Sequence, residues 1–220
     1  MMEVLEKPKW VPIGFDVRYP YCERSDWELG DYNYHSMMKA IGIKNPPPEV
    51  VTVESGSCPR PSDFHAQTWD ERTDLADLSG YIGSLSRAVL IARNAEKHGV
   101  LPRVFYFEME ARSYKHVRSI GWLKGEPVLT KRPAVPTKIL GFDILNDGGN
   151  TELWVIDPHD GLWKAKPDAI KAVNNHGLLK DWQAVVDILP YVPRDHVDWQ
   201  LAPFVTIWRI SEVVDEERAE

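Results

Sequence analysis

The longest regular pattern of apolar positions lies between residues 73 and 98. Apolar side chains recur there at steps of three and four residues: Leu75, Leu78, Ile82, Leu85, Val89 and Ala92. This repeat places side chains along one face of an α-helix. Gly99 follows at a position where helices commonly end. The pattern therefore predicts a long core helix over residues 73–98.

An alternating pattern follows in RVFYFEMEA, residues 103–111. Successive side chains of a strand point to opposite faces of a sheet. Phe105 and Phe107 therefore share one face of the predicted strand, and Glu108 and Glu110 share the other.

Two further strands are predicted nearer the ends of the chain. WVPIGFDVRY, residues 10–19, contains Pro12 and Gly14, which are typical of an edge strand or a bulge. PFVTIWRI, residues 203–210, is rich in the β-branched and aromatic residues that favour strands.

The region from 138 to 166 predicts an antiparallel meander, because apolar runs alternate there with glycine-rich turns. Its three strands are expected at 138–145, 151–156 and 162–166. Pro167 then begins a short predicted helix that Gly177 ends, since proline suits a first helical turn. A further helix is predicted from Leu178 to Leu189.

Helices and strands alternate without a strict βαβ order, so the fold class is predicted as α+β. We expect a mostly antiparallel sheet packed against the helix at 73–98 and against shorter helices. A length of 220 residues suits one domain over 1–220. The proline-rich segment 43–63 is expected to be a loop or flap, and 211–220 an acidic, frayed tail.

Composition narrows the classes of function. The formal net charge of −7 argues against a protein whose whole surface wraps nucleic acid. The sequence contains no apolar run near the ~20 residues that span a bilayer and no signal-peptide pattern, so a cytoplasmic location without membrane contact is expected. Cys22 and Cys58 are expected to be reduced thiols, with a single disulfide as the alternative.

Acidic residues on the strand at 103–111 are the first candidates for chemistry. Alternate residues of a strand lie about 6.6 to 7 Å apart. Glu108 and Glu110 at this spacing suit acid/base catalysis together with His159, or a divalent cation together with Asp143. Either arrangement would make the protein a metal-dependent hydrolase of a phosphate-containing substrate. The alternative is that both carboxylates face solvent on a sheet edge.

Turn acids at NDGGN and DPHDG are better explained as ordinary turn residues, because Asp, Pro and Gly each favour turn geometry. Their spacing does not fit a calcium loop. The sequence contains no phosphate-binding loop or dinucleotide fingerprint, so no cofactor is expected. Between these turns, Trp154 is predicted to be exposed and to anchor a partner.

A basic segment extends from residue 112 to residue 138, where seven basic residues and the single acid Glu126 give a charge of +6. The basic residues are Arg112, Lys115, Arg118, Lys124, Lys131, Arg132 and Lys138. Trp122 lies among them. Basic side chains beside exposed rings suit an acidic protein surface, an anionic ligand or nucleic acid. The alternative is that they pair with the surplus of acids elsewhere in the chain.

The run ILGFDILNDGGNTELWVIDPHDGLWKAKPDAIKAV resembles the strand, turn, strand and helix run of SMI1/KNR4-type immunity proteins and covers under a fifth of the chain. The resemblance implies a non-enzymatic protein that neutralises a toxin or defence enzyme by direct binding. Another protein is thus the expected partner. The hydrolase and a nucleic-acid-binding accessory protein are the alternatives.

Overall fold

The fold is taken from a computed structural model. It describes residues 8–18, 38–39, 42–44, 81–97, 102–119, 129, 131–146, 149–150, 162–192 and 205–214, with backbone alone at 145–146 and 149–150. The predicted loop at 43–63, apart from its first two residues, and the predicted strand at 151–156 lie outside these ranges. So do Cys22, Cys58 and most of the predicted acidic tail.

The core of the described fold is one five-stranded sheet in which all neighbouring strands are antiparallel. The strands are β1 (Trp10–Arg18), β2 (Arg103–Glu110), β3 (Thr137–Asn146), β4 (Gly149–Asn150) and β5 (Thr206–Val213). Their order across the sheet is β1-β2-β5-β3-β4. β5, the last of the described strands in the sequence, therefore lies at the centre, between β2 and β3.

Helices cover both faces of this sheet. The described α-helices are α1 (Leu85–Lys97), α2 (Ala111–Ser119), α3 (Leu162–Ala165) and α4 (Trp182–Ile188). Pro167–Ala172 forms the first 3₁₀ helix and Leu189–Tyr191 the second. An antiparallel sheet packed against helices, without βαβ units, confirms the predicted α+β class. Within the described residues, no helix is long and apolar enough to cross a membrane.

Side chains of β5 define the two faces. Ile207 packs with α4 residues on one face. Residues of α1 cover β1 and β2 on the same face. We call this the α1/α4 face. Trp208 and Ile210 point to the other, where Val117 of α2 packs against them. We call this the α2 face.

β1 confirms its prediction in both respects. It lies at one edge of the sheet that the described residues form, and its pairing with β2 shifts register between Pro12 and Gly14. The shift brings Gly14 so close to the next segment that an added Cβ would lie 2.7 Å from the Cβ of Tyr81. Glycine permits this approach, and Phe15 forms a two-way backbone bridge with Ile82 at 2.9 and 2.8 Å.

That bridge explains why the predicted long helix is wrong. Residues 81–84 are not helical, and α1 begins at Leu85 rather than at residue 73. The backbone of Ile82 bonds to β1 and so leaves the helical pattern. The buried side chains of α1 are Ala88, Ile91, Ala92 and Ala95. Of the predicted apolar stripe, only Ala92 belongs to that set; residues 73–80 lie outside the described ranges.

The third predicted strand of the meander is also wrong, because Leu162–Ala165 is helical. The backbone N–H of Lys166 donates to the carbonyl of Leu162 at 2.8 Å, which closes a helical turn before Pro167. β3 lies near its predicted place and pairs with the short β4, whose two residues fall in the turn predicted before the strand at 151–156.

The predicted helix from Leu178 to Leu189 is shorter than expected. Leu179 instead forms a two-way backbone bridge with Phe142 on the outer edge of β3, at 2.9 Å each way. Asp181 then caps α4 by accepting the N–H of Ala184 at 2.7 Å. At the other end of the chain, β5 continues through Val213, three residues into the segment predicted to be frayed.

Gly141 provides a test of the packing at this edge. An added Cβ would lie 2.7 Å from the Cβ of Leu178 and 2.8 Å from the carbonyl oxygen of Leu179. We expect Gly141→Ala to lower the free energy of unfolding by about 1–3 kcal/mol, because overpacking forces the backbone to shift. Urea denaturation measures this, and an unchanged midpoint would show that the bridge is looser than described.

Candidate functional site

Glu108 is buried in the middle of the sheet, with 2% of its surface exposed. Its Oε2 accepts the Nε–H of Arg209 at 2.6 Å and lies 2.5 Å from Nη2 of the same guanidinium. The two residues face each other across β2 and β5. The guanidinium also lies 4.6 Å from the centre of the Trp10 ring, a cation–π distance. The carboxylate is therefore held in a structural ion pair.

Tyr106 and Ser211 extend this polar centre, because they also face each other across β2 and β5. Both are fully buried, and among the described residues the Ser211 hydroxyl has no hydrogen-bond partner. Burial raises the pKa of Tyr106, and the nearby Glu108 carboxylate raises it further. The phenol is therefore protonated at neutral pH, and it suits a hydrogen-bond donor better than a base.

Glu110 has a different structural task at the end of β2. Its Oε2 accepts the backbone N–H groups of Arg112 at 2.9 Å and Ser113 at 3.0 Å. These are among the first amides of α2, which have no partner within the helix. The Ser113 hydroxyl in turn accepts the N–H of Ile207 at 3.2 Å, which ties α2 to β5. Glu110 is thus a helix cap.

The carboxylates proposed to bind a metal do not converge. Arg209 lies opposite both Glu108 and Phe142, whereas Asp143 lies opposite Trp208. Neighbouring residues of a strand point to opposite faces, so Glu108 and Asp143 are separated by the sheet and cannot bind one ion. Among the described residues, no three His, Cys, Asp or Glu side chains are grouped to hold a metal.

The solvent-facing alternative is equally wrong, because both glutamates are buried. The sequence offered a signal for this, since Arg209 stands inside the apolar run TIWRI and an arginine there needs a buried acid. His159, the third residue of the catalytic hypothesis, lies outside the described residues.

The basic segment is divided between the two faces of the sheet. On α2, Arg112 and Lys115 are exposed, and Arg118 is half-buried with its Nη1 donating to the Tyr114 hydroxyl at 3.3 Å. Arg132 instead donates to the Thr137 hydroxyl at 3.4 Å. Its positive charge partly offsets the rise in the pKa of Tyr106, a residue of the α1/α4 face. Arg132 therefore lies on that side of the sheet.

Among the described residues of this segment, α2 carries three of the cations on one helix, Arg112, Lys115 and Arg118. Trp122 and Lys124 lie outside the described residues, as does Trp154, so their predicted binding roles stay predictions.

No protein-family model, curated protein or solved structure matches the chain.

A second charged group surrounds His176, which is half-buried. The guanidinium of Arg103 pairs with both carboxylate oxygens of Glu212, at 2.7 Å from Nε and 2.5 Å from Nη2. Burial lowers the pKa of His176, and the positive charges of Arg103 and Lys138 lower it further, while Glu212 raises it. The folded protein therefore disfavours the imidazolium.

This predicts a pH dependence of stability. As pH falls below about 6.5, the unfolded chain binds a proton at His176 that the folded protein resists. The free energy of unfolding should therefore decrease on acidification from pH 7. His176 contributes no further decrease once the pH lies below the pKa of this residue in the folded protein. Urea denaturation between pH 7 and pH 5 should show a flatter profile for His176→Gln than for the parent protein. If the free energy of unfolding falls equally with pH in His176→Gln and in the parent protein, this assignment is contradicted.

Proposed function

We propose that the chain is a non-enzymatic binding protein of the immunity or inhibitor type, which docks α2 on an acidic surface of another protein. The observation that carries the proposal is the composition and placement of α2. Its sequence ARSYKHVRS contains Arg112, Lys115 and Arg118 and no acidic residue. The whole chain has a net charge of −7, so α2 is a local positive surface on an acidic protein.

The way α2 is held supports a binding role. Two of its own side chains, Ser113 and Val117, are buried, and Glu110 caps its first turn. A helix fixed in this manner loses little conformational freedom when a partner binds. Its exposed cations can then steer an acidic partner to one orientation, which raises association rates and specificity.

The placement of the acids also favours binding over catalysis. Glu108 is engaged by Arg209, and Glu110 by the amides of α2. The immunity role itself is drawn from the resemblance of residues 139–173. In that run, the described residues contain β3, β4, α3 and the first 3₁₀ helix.

The test is affinity capture with matched charge variants. Arg112→Glu combined with Lys115→Glu reverses two exposed cations of α2. Arg87→Glu combined with Lys97→Glu changes the net charge equally at exposed positions of α1. A protein captured stoichiometrically by the parent chain should bind the α2 variant at least about tenfold more weakly, while the control variant retains it. The loss should shrink in high salt, because salt screens exposed charges.

Equal capture by the two variants would overturn the role of α2. A labelled 20-nucleotide single strand serves as a second probe. If the parent chain binds this strand at 0.15 M salt and the α2 variant does not, the helix binds nucleic acid rather than an acidic protein.

A further inference from the structure

The outer edge of β3 is closed by a strap, residues 172–180, that follows the first 3₁₀ helix. Leu179 and Phe142 exchange two backbone hydrogen bonds of 2.9 Å each. This pairing is an isolated bridge and not a continuous ladder. The N–H of Lys180 donates to the carbonyl of Ala172 at 2.9 Å, which joins the two ends of the strap. The strap is therefore a hairpin laid against the sheet edge rather than a further strand.

Asn174 organises the tip of the strap. Its Oδ1 accepts the backbone N–H groups of His176 at 2.8 Å and Leu178 at 3.3 Å. Its Nδ2 donates to the carbonyl of Leu140 at 2.7 Å. These bonds hold the tip, and His176 with it, beside the first half of β3.

His176 is poorly placed there to hold a positive charge. Its Nδ1 is buried and, among the described residues, has no hydrogen-bond partner. The charged groups around it belong to three strands: Arg103 of β2, Lys138 of β3 and Glu212 of β5. Both carboxylate oxygens of Glu212 are already engaged by Arg103. An imidazolium would therefore place a buried, unpaired N–H beside two cations, which is unfavourable.

Detachment of the strap would relieve this conflict without unfolding the sheet. The imidazole would reach water, where its pKa returns to about 6.5. β3 pairs with β5 along most of its length, whereas the strap meets β3 at one bridge and at the Asn174 side chain, so it can open as a local unit. Leu178 and Leu179 are fully buried and oppose the opening, so the open form is a minor population at neutral pH.

We propose that residues 172–180 form an acid-sensitive strap, in which protonation of His176 favours detachment from the edge of β3. Because a proton binds the open strap more tightly than the closed one, the open fraction rises as pH falls below about 6.5. Detachment leaves the N–H and C=O of Phe142 and the carbonyl of Leu140 unpaired. Unpaired groups of this kind are those with which an extended chain pairs at a sheet edge. The strap thus regulates access to an edge that is closed at neutral pH.

Hydrogen exchange of the full chain, followed by NMR at pH 7.5 and pH 5.5, tests the proposal. Exchange rates are expressed as protection factors, which correct for the effect of pH on a free amide. The amides of Phe142, Leu179 and Lys180 are bonded in the closed strap and should lose protection at least about threefold on acidification. At both pH values they should be at least about tenfold less protected than the amides of β5, which report unfolding of the whole sheet.

Urea distinguishes detachment of the strap from global unfolding. Low concentrations of urea should change exchange in the strap little, because detachment exposes little surface, while exchange in β5 should accelerate. His176→Gln should abolish the effect of pH on the strap amides. The control Asn175→Gln changes an exposed neighbour that does not titrate, and it should retain the effect.

Two kinds of result would overturn the proposal. Strap protection that does not change with pH, or that still falls in His176→Gln, would show that His176 does not control the strap. Strap amides that match those of β5 in protection and in their response to urea would show that this edge opens only when the whole sheet unfolds. The urea series needs no variant, and none of these measurements involves α2, so the proposed function is tested separately.

Discussion

The ion pair between Glu108 and Arg209 is the interaction on which the sheet most depends. It joins β2 to β5, the strand that lies between β2 and β3, and both charges are largely removed from water. Breaking such a pair leaves an uncompensated buried charge. Because side chains alternate along a strand, a slip of one residue would carry Arg209 to the α2 face, where Trp208 and Ile210 pack in an apolar cluster. The pair thereby fixes the register of the central strands.

The positions of α2 and α4 follow from that register. β2 ends at Glu110, whose carboxylate caps α2 and so sets the direction in which the cations of the helix project. On the other side, β3 presents Phe142 and Ile144 to α4. α4 then lies beside the first 3₁₀ helix, with an open cleft between the two elements. Acids that resembled a catalytic pair in the sequence thus act as internal supports for surfaces elsewhere.

Local sequence signals predicted the elements that depend on local chemistry. The alternation around Phe105 identified β2, and Pro12 with Gly14 identified an edge strand with a bulge. Ile82 could not be placed in this way, because its helical spacing is overruled by backbone hydrogen bonds to Phe15, a residue distant in the sequence. The same limit applies to Glu108. The alternating pattern of its own strand predicts the face of the sheet on which Glu108 lies, but its burial depends on the ion pair with Arg209, about a hundred positions later in the sequence.

A double-mutant cycle on Glu108 and Arg209, followed by urea denaturation, tests the central claim most directly. Glu108→Leu and Arg209→Met should each lower the free energy of unfolding by about 3–5 kcal/mol, because each leaves the other charge buried and unpaired. The combined variant Glu108→Leu with Arg209→Met should recover most of that loss, since apolar replacement of a buried pair is often neutral. Unchanged stability in Glu108→Leu would contradict the account, because the carboxylate would then be free for another role.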